Sequence, residues 1–352
     1  MAKTDSGNFF EDFRLGEVLR HPTPRSVTEG DAALYLALTG GRFLLESSAE
    51  AARSHGLRAA PLDDLLVFHL VFGKSVPQVS LNAVANLGYA DCRFLAPVYA
   101  GDTLSAESRV IGLKQTSSGD SGIVYVETLG RRQDGAPVLS FKRWVLVRKQ
   151  DPESPAPETV VPELAPLVAA EDLVVPTGLH GRDWDVGLSG SPHLWEDYAP
   201  VERIDHSDGM TLEEAEHQMA TRLYQNTAKV HFDQLLASEG RFGRRLVYGG
   251  HIISMARALS FNGLANGIRI AAINGGRHVA PTFAGDTLFA WSEVLEKWAL
   301  PGRNDLGALR LRTLALKNRR AADFPDQDEA GRPDPALVLD LDYTVLMPRR
   351  AG

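Results

Sequence analysis

Hydrophobic and polar residues alternate along Leu337-Val338-Leu339-Asp340-Leu341-Asp342-Tyr343-Thr344-Val345, the period of two expected of a strand with one face in a core. Two other stretches have no polar face. Residues 64–75 and 250–262 are apolar on nearly every side of a helical wheel, so each predicts a helix buried all round rather than laid on a surface. Arg132-Gln133-Asp134-Gly135 supplies the Asp-Gly signal of a hairpin turn between two apolar runs.

Ahead of each buried helix lies a helix-start signal. Thr211-x-x-Glu214 reads as a capping box, and Thr28-x-x-Asp31 as a weaker version of it. Order and wording both repeat. Ala96-Pro97-Val98-Tyr99-Ala100-Gly101-Asp102-Thr103-Leu104 returns as Ala280-Pro281-Thr282-Phe283-Ala284-Gly285-Asp286-Thr287-Leu288, 184 positions on. Phe10-Glu11-Asp12-Phe13 is echoed by Trp195-Glu196-Asp197-Tyr198 at a displacement of 185. Two matches at nearly one displacement imply a duplicated domain. A buried helix followed by a meander of long strands predicts an α+β tandem (double) hotdog, each half an antiparallel sheet wrapped around its helix. The proline-rich acidic stretch from Asp151 onward reads as an extended surface linker over residues 151–179, between domains at 1–150 and 180–352.

At 352 residues the chain can bury two sizeable cores, and 44% hydrophobic with 23% charged residues is an ordinary globular balance. A net charge of −8 without a basic run argues against nucleic acid as a partner. The single cysteine, Cys92, excludes an intramolecular disulfide and a cysteine-rich metal site. The longest apolar run is too short to span a bilayer, and Met1-Ala2-Lys3-Thr4-Asp5-Ser6 lacks the apolar segment of a signal peptide. A cytoplasmic protein without a membrane partner is expected, and a homo-oligomer is compatible with the sequence.

Three features together carry a resemblance: the repeated Ala-Pro-x-x-Ala-Gly-Asp-Thr-Leu segment, the segment from Asn226 to Asp233, and Tyr248-Gly249-Gly250 at the start of the second buried helix. In this order they resemble the MaoC-like hotdog hydratases, which include the R-specific enoyl-CoA hydratases. The resemblance spans almost the whole chain as two copies. It implies a hydro-lyase that adds water to the double bond of an enoyl-CoA thioester. It implies neither a metal nor a redox cofactor, with CoA entering as part of the acyl-CoA substrate.

The family places an aspartate five residues before a histidine, the pair sharing acid–base work on a water. Here the histidine is His231 and the aspartate position holds Asn226. Positions i and i+5 lie about 140° apart on a helix, so the two converge only if the chain leaves the helix near Thr227. Asparagine cannot take a proton, though its amide donates and accepts hydrogen bonds. His231 therefore reads as the general base, its imidazole titrating near neutrality, and Asn226 as the group that orients the water. Asp233 is a candidate second acid, or simply a cap. A lone histidine can equally be a packing residue, and it is the family position that selects catalysis.

Adding water to the double bond sends charge onto the thioester oxygen. N–H groups at a helix start can receive it, and Gly249 and Gly250 permit close approach there, or else serve a tight turn or packing. Lys229 and Arg277 are candidate charge contacts for CoA phosphates or an acyl carboxylate, or solvated surface charges. His251 and His278 stay open, and His206 is expected in a turn. Displaced by 185, His231 falls on Glu46 and Asn226 on Gly41, and displaced by 184 the glycine pair falls on Leu65-Leu66. The first copy thus shapes the pocket and the second supplies the chemistry. Alternatives are a hydratase for another enoyl-CoA, a non-catalytic acyl-CoA-binding subunit, and, more weakly, a thioesterase.

Overall fold

The computed structural model describes residues 3–328 and 330–350. Its first half contributes strands β1 (Val18–Ser26), β2 (Ala83–Phe94), β3 (Thr103–Gln115), β4 (Ser121–Arg131) and β5 (Pro137–Arg148). The second contributes β6 (Arg203–Asp205), β7 (Met210–Thr211), β8 (Arg269–His278), β9 (Thr287–Ala299), β10 (Leu306–Lys317) and β11 (Leu337–Pro348). All pair antiparallel in a single sheet of order β1-β3-β4-β5-β2-β8-β11-β10-β9-β6, with β7 added beside β9. The order in each half is the same, read outward from the join. There β2 meets β8, Tyr89 opposite Gly276 and Cys92 opposite Ile273. This is the double hotdog expected from the sequence.

Each half wraps around one central helix, Asp64–Val79 in the first and Gly249–Leu259 in the second. Leu65, Leu66, Phe68 and Leu70 of the first are completely buried, as an all-round apolar sequence requires. The first helix outruns the apolar stretch at 64–75. Pro77 lies inside it and removes only its own N–H, and the Ser80 N–H still closes on the Val76 carbonyl at 2.9 Å. The second stops short of residue 262. Asn262 (φ −72°, ψ 100°) leaves the helix because His206 holds it: Asn262 Nδ2 donates to the His206 carbonyl at 2.9 Å, and the His206 ring meets the Asn262 carbonyl at 2.7 Å.

His206 opens the turn between β6 and β7, the Asp208 N–H returning to its carbonyl at 2.6 Å, but its side chain is fully buried. Its Nε2 lies 2.8 Å from Ser292 Oγ, which in turn meets Thr313 Oγ1 at 2.6 Å. The first half repeats this trio. His21 Nε2 meets Ser108 Oγ at 2.7 Å, and Ser108 meets Thr128 at 2.8 Å. The duplication is thus present in buried polar packing that carries no chemistry.

The capping signals exchange strength. Thr28 caps the helix Glu29–Thr39 with a complete capping box to Asp31. Its spatial counterpart is Glu213, which caps without a side-chain bond, while Thr211 is drawn into β7, where its hydroxyl meets Thr287 at 2.8 Å. The two Gly-Asp segments are turns. Gly101 and Gly285 take φ of 94° and 92°, and Asp102 and Asp286 each accept a backbone N–H three residues back at 2.9 Å. Among the described residues no helix is long and apolar enough to cross a membrane.

Candidate active site

The helix Glu214–Leu223 ends at Tyr224, and Gln225 takes a left-handed backbone with φ 55°. That turn carries the next residues off the helix, which is what an i, i+5 pair needs to converge. Asn226 is buried, and its Oδ1 accepts the Ala228 N–H at 2.9 Å. Its Nδ2 has no protein hydrogen-bond partner among the described residues. Lys229–His231 form one 3₁₀ turn. Half-buried His231 donates from Nδ1 to the Leu246 carbonyl at 3.1 Å. A carbonyl oxygen only accepts, so the proton sits on Nδ1 and the lone pair on Nε2. The ring stands edge-on to Tyr248, centroids 5.5 Å apart. Burial pulls the imidazole down to about 4, against the Leu246 carbonyl, which favours the proton. The expectation of a base titrating near neutrality is corrected accordingly.

His231, Asn226 and Gly249 line one cavity of about 350 Å³. The first half supplies its other wall, including Phe72, Asn86, Tyr89 and Arg143. Gly249 opens the second central helix behind Tyr248, whose side chain makes no capping bond, so the first-turn N–H groups have no side-chain acceptor. A Cβ on Gly249 would stand 2.5 Å from the His278 ring, and one on Gly250 would stand 2.4 Å from Tyr248 and 2.7 Å from His69. Rings occupy the space that a methyl would need at both glycines. Gly249 also faces the cavity, whereas Gly250 is buried outside its lining.

The remaining candidates scatter. Lys229 is exposed, and Arg277, 57% exposed at its side chain, pairs with Asp340 at 3.4 Å; neither lines the cavity. Asp233 caps the helix Gln234–Glu239 through the Leu236 N–H. His251 is buried with its Nδ1 at 3.3 Å from the Tyr224 hydroxyl, away from the cavity. His278 does line the cavity, Nε2 at 3.2 Å from the Tyr89 hydroxyl, so one residue from each half meets at the sheet join. Burial, with a smaller contribution from the nearby His231, pulls His278 down to about 4.

The equivalent corner of the first half is closed. Glu46, Asp63 and Asp64 crowd with Arg257 and Arg269 around a space of about 10 Å³. Arg269 pairs with Asp64 across the halves. Burial, then the charges of Asp63 and Asp64, push Glu46 up to about 8, so it is largely protonated at neutral pH. Among the described residues no group of three or more His, Cys, Asp or Glu is placed to hold a metal.

Sequence reasoning missed Arg143, although its signal was present. Along β5, Phe141, Arg143 and Val145 share one face, and an arginine on an otherwise apolar inward face is anomalous. Asn86 and Tyr89 carried no comparable signal.

The chain matches the mesaconyl-CoA hydratase family over residues 1–329. It is 62% identical over 349 residues to the β-methylmalyl-CoA dehydratase of Chloroflexus aurantiacus, covering 99% of each chain. It is 58% identical to the mesaconyl-CoA hydratase of Cereibacter sphaeroides, covering 99% of this chain and 100% of the relative. A crystal structure of a MaoC domain protein dehydratase from Chloroflexus aurantiacus superposes with a TM-score of 0.97 at 61% identity, covering all of both chains. A Mycobacterium tuberculosis protein described as a double hotdog shares the fold at 24% identity, with a TM-score of 0.76 and coverage of 98% of this chain and 99% of that one.

Proposed function

The chain belongs to the mesaconyl-CoA hydratase family, and from that premise we propose how its cavity carries out the reaction. The protein is a hydro-lyase that reversibly adds water to mesaconyl-CoA (2-methylfumaryl-CoA, thioester at C1) to give β-methylmalyl-CoA. Hydroxyl goes to C3 and hydrogen to C2. The observation that carries the mechanism is the His231 Nδ1–H donated to the Leu246 carbonyl, which leaves Nε2 as the basic atom beside the cavity.

A water held by the Asn226 amide gives its proton to His231 Nε2 as its oxygen bonds to C3. The C2–C3 electron pair moves toward the thioester, whose oxygen takes up negative charge at the start of the second central helix. There the backbone N–H of Gly249 and the positive helix end receive it. Collapse of the enolate then takes the proton from His231 to C2. One imidazole thus moves one proton in and out, and the balance closes without the second acid that Asn226 cannot be. A site that holds imidazole at about 4 makes the transient imidazolium a strong acid, suited to the second transfer.

Incubating the protein with mesaconyl-CoA and, separately, with β-methylmalyl-CoA, followed by chromatography, tests the activity. Approach to one equilibrium mixture from both sides is expected. In D₂O, a single-base route puts deuterium at C2 on the face that receives the hydroxyl. Label on the opposite face would eliminate that route.

A further inference from the structure

Arg143 is 1% exposed in an inward-facing position of β5, yet among the described residues no carboxylate pairs with it. Its Nη2 donates to Ser75 Oγ at 2.8 Å, and Nη1 and Nη2 reach Ser80 Oγ at 3.4 and 3.3 Å. Its guanidinium lies 4.1 Å from the centroid of Phe72. Two neutral hydroxyls and a ring face do not neutralise a buried charge, and among the described residues Nε has no hydrogen-bond partner. Two other guanidiniums are buried: Arg269 pairs with Asp64, and Arg257 lines the small space that holds the carboxylates of Glu46, Asp63 and Asp64.

The uncompensated cation belongs to the site. Arg143 and Ser80 line the same cavity as His231 and Asn226. Phe72, on which the guanidinium lies, is 5.8 Å from Tyr248, and Tyr248 is 5.5 Å from His231. Asn86, on the same wall, has no hydrogen-bond partner for either amide atom among the described residues. The duplication shows that the fold does not need the charge. Thr128 and Thr313 are counterparts in the buried trios, and they face Phe141 and Leu341 in register. Two residues on, Arg143 therefore corresponds to buried Tyr343. Only the copy that walls the open cavity carries a cation there.

The geometry points to Arg143, with the Asn86 amide on the same cavity wall, as the receptor for a free carboxylate on the acyl group of the substrate, and hence as the residue that selects carboxylated enoyl thioesters over neutral ones. The inference rests on the hydratase reading above. In 2-methylfumaryl-CoA the carboxylate is attached to C3, the carbon that receives the hydroxyl. Holding it at Arg143 therefore also sets C3 in register with the water at His231.

The test compares mesaconyl-CoA with tiglyl-CoA, which has a methyl where mesaconyl-CoA has the carboxylate and is otherwise the same acyl chain. Wild-type protein should favour mesaconyl-CoA in kcat/KM. Arg143→Gln should lower kcat/KM on mesaconyl-CoA by roughly 30–100-fold, mostly through KM, and collapse the mesaconyl-to-tiglyl ratio by at least about tenfold. Arg143→Lys keeps a charge without the fork, so it should recover part of that ratio. If Arg143→Gln does not fold, the lysine variant alone carries the test through a raised KM for mesaconyl-CoA and a reduced ratio. An unchanged ratio, with both substrates equally impaired or equally unaffected, overturns the inference and leaves Arg143 as a tie between Ser75 and Ser80. Failure of wild type to hydrate mesaconyl-CoA at all overturns the hydratase reading instead, whatever the variants do.

Discussion

His231 donates its Nδ1–H to the carbonyl of Leu246 at 3.1 Å, and this bond decides which ring nitrogen is basic. Leu246 lies just before the second central helix, so the segment that aligns the imidazole also leads into the helix start. The proposed base and the proposed oxyanion donor are thereby anchored to one stretch of chain, Leu246 to Gly249.

If Nε2 activates water, His231→Ala lowers kcat by ~10²–10⁴-fold while leaving CoA-ester binding nearly unchanged. Initial rates with mesaconyl-CoA and a binding isotherm for a non-reactive CoA ester measure both. Rates like wild type in this variant would move the chemistry elsewhere.

Because burial holds His231 at about 4, the imidazole is already neutral at pH 6. The hydration rate should stay level from pH 8 to about 5.5 instead of bending near 6.5, the ordinary histidine range. An inflection near 6.5 that disappears in His231→Ala would contradict the depressed value.

Asn226→Ala should cost less than His231→Ala, since it removes an orienting amide and not the base. Asn226→Asp should retain measurable turnover, because its carboxylate can still accept the Ala228 N–H and gives the Asp–His spacing of the MaoC-like hydratases that the segment resembles. Equal losses in Asn226→Ala and His231→Ala, measured as kcat on mesaconyl-CoA, would give Asn226 a larger role than orientation.

Gly249→Val should lower kcat and weaken substrate binding together, since its Cβ collides with the His278 ring beside the cavity. Gly250→Ala instead collides with Tyr248 and His69 in the core, and should cost about 1–3 kcal/mol of stability by overpacking. Denaturant midpoints and kinetic constants for both variants separate the two effects.

Stability should respond to pH from both sides. His21, His206 and His251 are buried and depressed to about 4, so the unfolded chain binds more protons than the folded one between about 6.5 and 4. Stability falls as pH falls through that window, each histidine contributing up to about 1.4 kcal/mol per pH unit. Glu46, raised to about 8, has the opposite sign: the folded state keeps its proton and loses stability as pH rises from 4.5 toward 8. Glu46→Gln should therefore raise the melting temperature at pH 8 and keep turnover within a few-fold. A melting temperature independent of pH below 6.5 would refute the first part, and a loss of turnover like that of His231→Ala the second.

Much of this protein was legible from local pattern. A period-two alternation at 337–345, two helices without a polar face, and a repeat displaced by 184 to 185 suffice for a double hotdog, because burial on one face or on all faces writes itself into spacing. The residues in which the copies differ, Glu46 and Gly41 against His231 and Asn226, were legible by aligning the repeat. Three matters were settled only in three dimensions. The lone pair on His231 depends on a carbonyl fifteen residues away, and its depressed basicity on burial that no spacing reports. The need for glycine at 249 and 250 comes from the rings of His278, Tyr248 and His69, brought there from β8, from the preceding loop and from the other half. Arg143 stood in plain alternation with Phe141 and Val145, but whether an inward arginine has a carboxylate partner depends on which strands and helices surround it. Local sequence sets which face a residue takes; the company it keeps there is set by elements far along the chain.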